Sequence, residues 1–209
     1  QAIKNIELVQ KYINHIESGN PARTLESNDE ELSLINSFNL LTMKPVLYVC
    51  NVDESSVING NDYVNLIQDV TKSENAEVLI IATAIEAEIA DLETIDEQLL
   101  FLEEMGLDQP GVNHLIKSTY KLLNLQTYFT AGEKEVKAWT IVKGTKAPQA
   151  ASVIHTDFEK GFIRAEVISY DNFIKYGSEH SCRENGKLSI EGKDYIVNDG
   201  DIMHFRFNV

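Results

Sequence analysis

Lys44-Pro45-Val46-Leu47-Tyr48-Val49-Cys50-Asn51-Val52-Asp53-Glu54 runs a short apolar block straight into a polar tetrapeptide. The block at 45–50 is continuous and rich in β-branched residues, which predicts a fully buried strand of the kind found in parallel sheets. A second such block, Glu77-Val78-Leu79-Ile80-Ile81-Ala82, follows a helical stretch at 62–71 with Val64, Ile67 and Val70 on one face. Another helix follows over 84–92. The order βαβα predicts an α/β layer built on a parallel sheet. In such sheets ligands bind beyond the carboxyl ends of the strands. Asn51, Val52 and Glu54 lie at one such end, and Thr83 and Ala84 at the next. An Asn amide both donates and accepts, and Glu54 is an acceptor for an exocyclic amine. The same residues also suit an ordinary turn after a strand, since Asn and Asp favour turns.

Before this block, Ile3, Ile6, Val9, Ile13 and Ile16 step by three and four, an apolar stripe on a helix over 3–17. Gly19-Asn20-Pro21 stops it. Ser27 and Glu30 predict a capping box for a second helix, with Leu32, Ile35 and Phe38 facing the core. An orphaned stripe of this sort also suits a dimer contact. After the α/β stretch come helices at about 95–105 and 112–124, separated by Gly106 and Pro110-Gly111.

From residue 125 onward the strands shorten. A hairpin around Gly132 joins 127–130 to 136–142. A short helix near 148–154, a strand over 162–168, a helical stretch at 170–176 and final strands follow. Met203, Phe205 and Phe207 alternate with His204 and Arg206, the pattern of a strand with one buried face. The order is β-grasp-like.

Charge divides the chain. Residues 1–125 carry 7 Lys/Arg against 21 Asp/Glu, a net of −14, and residues 126–209 carry 11 against 12, a net of −1. The acidic part is repelled by nucleic-acid phosphates, whereas the near-neutral part can approach RNA. Lys143, Lys146, Lys160, His204 and Arg206 are its RNA- or ribosome-facing candidates. No apolar run reaches the roughly 20 residues of a membrane helix, and the polar start Gln1-Ala2-Ile3-Lys4 is not a signal peptide. Two cysteines make no disulfide framework, which suits a reducing, cytoplasmic setting.

Several long blocks resemble the YchF/Obg-like ATPase family. They are 44–54, quoted above, Ala147-Pro148-Gln149-Ala150-Ala151, and His155-Thr156-Asp157-Phe158-Glu159-Lys160-Gly161-Phe162-Ile163-Arg164-Ala165-Glu166-Val167. The ending Asp199-Gly200-Asp201-Ile202-Met203-His204-Phe205-Arg206-Phe207 also fits. The resemblance implies three parts: a helical, coiled-coil insertion remnant at 1–40, the C-terminal part of a P-loop GTPase-type nucleotide-binding domain at 41–125, and a TGS domain of β-grasp type at 126–209. It implies an ATPase that binds ATP, or GTP in some members, with Mg²⁺, and that associates with ribosomes in translation and stress responses. Asn51 and Glu54 match the ends of the family's NxxE motif, which replaces the NKxD of GTPases. The Asp of NKxD accepts from guanine N1–H and the 2-amine, and adenine offers neither. The family's Ser-Ala loop is Thr83-Ala84 here, which puts a serine hydroxyl role in question.

A Walker A loop is missing. Gly186 to Lys193 comes nearest, with wrong glycine spacing and Asp194 where Ser or Thr belongs. The chain is therefore expected to be a C-terminal portion that hydrolyses no ATP by itself, since holding the phosphates is most of phosphoryl-transfer catalysis. An interaction module without nucleotide binding is the alternative. Of the remaining candidates, His155 and Asp157 suit a turn better than acid–base chemistry. His180 and Cys182 would share a strand face but lack the further ligands a zinc site needs. Trp139 and Tyr128 read as core or half-buried, Cys50 as packing, and the acidic residues from Glu86 to Glu104 as solvated helix faces.

Overall fold

A computed structural model of the chain describes residues 2–74, 76–132 and 135–208. Gln1, Asn75, the hairpin tip at 133–134 and Val209 lie outside the described residues. The chain divides into two units, Gln1–Leu122 and Leu123–Val209.

In unit 1, helix α1 spans Ala2–Glu17 and α2 spans Asp29–Asn36. The expected stripe on α1 is not the packed one. Ile3 is 73% exposed and Ile6, Ile13 and Ile16 are also exposed, whereas Leu8 and Tyr12 are buried against Ala22 and Ile35. Leu8 and Tyr12 are a single (i, i+4) row, and that row meets the 3₁₀ turn at Ala22–Thr24 and the α2 helix. Tyr12 also bonds the Ser27 hydroxyl at 2.9 Å. The capping box lies one residue later than expected: Asn28 Oδ1 accepts from the Glu31 N–H, and Glu31 accepts in turn from the Asn28 N–H, both at 3.0 Å. Ile35 is buried as expected, whereas Phe38, beyond the helix end, is exposed.

Strand β1, Leu47–Asn51, pairs in parallel with β2, Glu77–Ile81, as Leu47↔Glu77 through Asn51↔Ile81. Between them runs α3, Asp62–Thr71, whose first turn is capped by Asn61 on the Val64 N–H. Three helices follow: α4 over Thr83–Asp91, α5 over Ile95–Glu104 and α6 over Gly111–Leu122. β1 is not the fully buried strand its composition predicts. Leu47, Tyr48 and Cys50 are half-buried and Val49 is exposed. Among the described residues this sheet has two strands, so β1 has a neighbour on one edge only. The local core is instead Ala82, Ile85 and Ile89 of the β2–α4 segment against Leu102 of α5.

Among its described residues, unit 2 holds a five-stranded sheet. β3 spans Leu125–Ala131 and β4 Val136–Val142, followed by helices α7, Ala147–Ile154, and α8, Thr156–Lys160. β5 spans Phe162–Ser169, then come α9, Tyr170–Tyr176, and α10, Glu179–Glu184, and finally β6, Ser189–Glu191, and β7, Asp201–Phe207. The spatial order is β4-β3-β7-β5-β6, with β7 antiparallel to β5 and parallel to β3. Helix α7 covers one face, where Tyr128, Ala150, Ala165, Met203 and Phe205 form the core. The Tyr128 hydroxyl donates to the Ala150 carbonyl at 2.8 Å, and burial raises its pKa. As expected from the alternation, Met203 and Phe205 point in while His204 and Arg206 point out, but Phe207, expected on the buried face, is exposed at the strand end and stacks on Phe158 at 3.7 Å.

Candidate functional site

The carboxyl ends of β1 and β2 are joined by one side chain. Asn51 Oδ1 accepts from the Thr83 backbone N–H and from the Thr83 hydroxyl, each at 3.0 Å. The Val52 N–H adds a bond to the Ile81 carbonyl at 2.9 Å, so the two strand ends are stitched at adjacent residues. With its carbonyl oxygen engaged, Asn51 offers its amide nitrogen, a donor, outward. The Thr83 hydroxyl thus holds Asn51, a role that sequence reasoning left open.

Glu54 opens a 3₁₀ turn, Glu54–Ser56, and is exposed. Asp53 precedes that turn. Hydrogen bonds from the Ser56 and Ser55 side chains hold its carboxyl below the usual range. Ala84 lies exposed in the first turn of α4, beside Thr83. Val52 differs from its neighbours because it packs against the Ala82–Ile85–Ile89–Leu102 cluster. The loop thus splits its work: Val52 anchors it inward, while Asn51, Glu54, Thr83 and Ala84 are presented outward.

A support for this loop was missed at the level of sequence. Glu86, read as part of a solvated face, caps helix α6. Its carboxylate accepts from the Gly111 N–H at 2.6 Å and the Val112 N–H at 3.1 Å. Such a bond satisfies orphan donors and opposes the helix dipole. Because Glu86 sits one turn after Thr83, it ties the N-terminal end of α4, beside Asn51, to α6. Glu86→Ala is expected to speed hydrogen exchange at the Gly111 and Val112 amides by about tenfold, the effect of losing roughly 1.4 kcal/mol of capping. Unchanged exchange there would remove Glu86 from this role.

The remaining candidates are dispersed over unit 2. Lys143 follows β4, where its N–H bonds the Asn124 carbonyl at 2.8 Å. Lys146, at the start of α7, pairs with Asp194 at 2.7 Å and holds that carboxyl below its usual range. Lys160 ends α8, 4.0 Å from Asp157. His204 and Arg206 lie instead on the sheet face opposite α7, where Arg206 Nε meets Glu166 at 3.2 Å.

His155 Nδ1 accepts from the Asp157 N–H at 3.2 Å and shapes the turn into α8. His180 and Cys182 are not on a strand. Ser178 caps α10 on the Ser181 N–H, and the helix sends His180 out to Glu184 while burying Cys182. Tyr128 is core. Trp139 is half-buried, with its Nε1–H donating to the Thr130 hydroxyl at 2.9 Å. Residues from Gly186 to Lys193 close α10 and form β6, a context with no strand-to-helix phosphate loop. Among the described residues, no group of three or more His, Cys, Asp or Glu is placed to hold a metal ion, and no helix is long and apolar enough to cross a membrane.

Comparison with known proteins gives these features a context. The family profile YchF-GTPase_C, described as "Protein of unknown function (DUF933)", matches residues 125–208. The Ribosome-binding ATPase YchF of Pasteurella multocida (strain Pm70) is 50% identical over 204 residues, covering 98% of this chain and 56% of that protein. The Ribosome-binding ATPase YchF of Bacillus subtilis (strain 168) is 48% identical over 210 residues, covering 100% of this chain and 57% of that protein. The chain thus spans little more than half the length of these relatives. Among solved structures, the Schizosaccharomyces pombe YchF GTPase matches with a TM-score of 0.84 at 36% identity, over 96% of this chain and 53% of that one. A GTP binding protein from Pyrococcus horikoshii OT3 shares the fold, with a TM-score of 0.57 at 18% identity, over 97% of this chain and 56% of that one. By sequence and by its mixed α/β fold, the chain belongs to the YchF family.

Proposed function

We propose that this chain supplies the base-reading and ribosome-directed parts of a cytoplasmic, nucleotide-dependent ATPase that binds ribosomes. The observation that carries the reading is the Asn51–Thr83 bridge at the carboxyl ends of two parallel strands. That position is where an open α/β sheet binds its ligand. The bridge leaves the Asn51 amide as a donor toward a base acceptor, and the exposed Glu54 is the acceptor toward an exocyclic amine. An Asp at the place of Glu54 would select guanine; the longer Glu leaves adenine acceptable. ATP, or GTP, is the nucleotide class, and Mg²⁺ would accompany its phosphates on residues other than those described. Unit 2, with its β-grasp-like sheet, is the TGS domain and the part that meets the ribosome. The relatives' name, ribosome-binding ATPase, supports the nucleotide and the ribosome as partner classes.

The test is a titration of labelled ATP against the 209-residue chain and against a form extended to the length of the relatives. The extended form is expected to bind, and Asn51→Ala in it to weaken binding at least about tenfold, the cost of one charge-free hydrogen-bonding group and the loop it holds. The 209-residue chain is expected to bind weakly and to release no phosphate. Intact affinity in the Asn51→Ala form would overturn the base-site assignment. Absence of ATP binding in the extended form would favour the pure interaction module.

A further inference from the structure

The helical segment and the strands of unit 1 meet at one carboxylate that the base-site reading does not use. Ala22 belongs to the core of the helical segment, with Leu8, Tyr12 and Ile35. The next residue, Arg23, reaches out of that core. Its Nη2 forms an ion pair with Glu74 Oε2, and its Nη1 donates to the Thr42 carbonyl at 3.2 Å. The Tyr48 hydroxyl of β1 donates to the same Glu74 oxygen at 3.2 Å. Glu74 closes a short 3₁₀ turn, Lys72–Glu74, which lies between α3 and β2 in the chain. Three distant segments are thus drawn onto one atom. The cluster is largely buried, with the Arg23 side chain 18% exposed and that of Glu74 14%. The Arg23 Nε–H is buried with no acceptor among the described residues, so Glu74 and Thr42 hold the guanidinium.

Stability alone does not account for such a pair. Taking a guanidinium and a carboxylate out of water costs about as much as their attraction returns, and apolar side chains of similar size often serve stability better. What the ion pair adds is direction, because the planar N–H donors of Arg hold an acceptor in one geometry. The place of the pair gives that direction a use. β1 and β2 are five-residue strands in parallel register, each about 17 Å long at 3.3 Å per residue. Asn51 and Thr83 tie their carboxyl ends. Tyr48 and Glu74 tie β1, near its amino end, to the segment that precedes β2. Arg23 fastens the helical segment to that second tie. A shift of the helical segment therefore acts on the strand pair at the end opposite the Asn51 loop.

We infer that Arg23 is a positioning residue for the nucleotide base. Through Glu74 and Tyr48 it sets how β1 and β2 present Asn51 and Thr83, so displacement of the helical segment changes nucleotide affinity. The inference rests on the base-site reading. Coupling between two sites is reciprocal, so a bound nucleotide also tightens the Arg23–Glu74 contact.

The test combines Arg23→Met with Glu74→Met, which puts an apolar pair of similar length in place of the ion pair, in the 209-residue chain and in the extended form. Thermal melting is expected to hold or rise. ATP affinity of the extended form is expected to fall about fivefold, a typical coupling between sites. In the 209-residue chain, the Val52 and Thr83 amides bond Ile81 and Asn51, and their hydrogen exchange should speed by about threefold. Exchange at the Val64 amide, capped by Asn61, should not change. Tyr48→Phe removes one hydroxyl and keeps the ion pair. It should weaken ATP binding about twofold, and it decides the matter if the double methionine form does not fold. Unchanged affinity and unchanged exchange in a folded variant would reduce Arg23 and Glu74 to a structural tie and overturn the inference. So would exchange that rises equally at Val64, which marks general loosening. Asn51→Ala separates this inference from the reading beneath it. If Asn51→Ala weakens ATP binding and the Arg23/Glu74 and Tyr48 variants do not, the positioning role alone fails. If Asn51→Ala also leaves affinity intact, the base-site reading fails.

Discussion

Tyr128→Ala should unfold unit 2 at a temperature lower by more than roughly 10 °C, from a loss of about 3–5 kcal/mol. Three contributions coincide at this residue. The ring is fully buried at the centre of the sheet's packed face. It stands edge-on to Phe205 with centroids 5.8 Å apart, a favoured aromatic geometry. Its hydroxyl is buried as well, and its bond to the Ala150 carbonyl at 2.8 Å fastens helix α7 to the sheet. Truncation leaves a cavity and strands a buried carbonyl. Tyr128→Phe separates the two effects. It keeps the ring and loses only the hydroxyl bond, so it should cost about 1 kcal/mol. Trp139, the one tryptophan in the chain, lies in the same unit and reports the transition by fluorescence. A Phe variant as damaged as the Ala variant would show that the hydrogen bond, not the packing, dominates.

Gly161→Ala should be the second most damaging change, at about 1–3 kcal/mol, the usual range for forced overpacking. Its backbone φ of −89° is open to any residue, so conformational freedom is not the reason for glycine here. Close approach is. A Cβ on Gly161 would run onto the backbone carbonyl oxygen of Asn208. That backbone cannot easily give way, because the Asn208 N–H donates to the Gly161 carbonyl at 2.9 Å and the Gly161 N–H donates to Asp157 at 2.9 Å. Release of this point should fray the end of β7 and separate Phe207 from Phe158, which stack at 3.7 Å. Hydrogen exchange along Phe205–Asn208 would show it. Gly144→Ala is the control: nothing lies within 4 Å of its Cβ, and only the positive φ of 86° opposes it. That change should cost no more than about 1 kcal/mol. Equal losses at the two glycines would refute the close-approach argument.

The two glycines illustrate what a linear reading can and cannot see. Gly144 sits in a turn between a strand and a helix, where glycine is expected from local chemistry. Gly161 is required by Asn208, 47 positions away in the chain by subtraction of their numbers. The same division runs through the helical segment. The period of α1 was readable, but two apolar rows share that helix. Only the position of Ala22 and Ile35 selects Leu8 and Tyr12 over the isoleucine row. The capping residue was displaced by one position because Ser27 and Asn28 are both good caps, and the side chain of Ser27 is taken by Tyr12.

At the carboxyl ends of β1 and β2, the run from apolar strand to Asn51 was visible in its composition and in a long family-like block, and the second strand ending before Thr83 in its composition alone. What joins them was not, since the hydrogen bonds cross 32 residues. Glu86 was hidden for the same reason: an acidic residue in an acidic helix looks solvated until the distant amides of Gly111 and Val112 are brought against it. His204 and Arg206 were picked out by alternation alone, which tells the outward face of a strand from the inward one. Their partner Glu166 lies on another strand.

Local pattern therefore carried most element types, though not the helix at Glu179–Glu184, together with the order βαβα, the change to short strands after residue 125 and the polar loop at Asn51, because each depends on residues within a few positions. The choice of buried row on α1, the Asn51–Thr83 bridge, the Glu86 cap and the Arg206–Glu166 pair came only with the fold. Each is a contact between distant segments, and the identity of a side chain does not say which distant donor or acceptor will reach it.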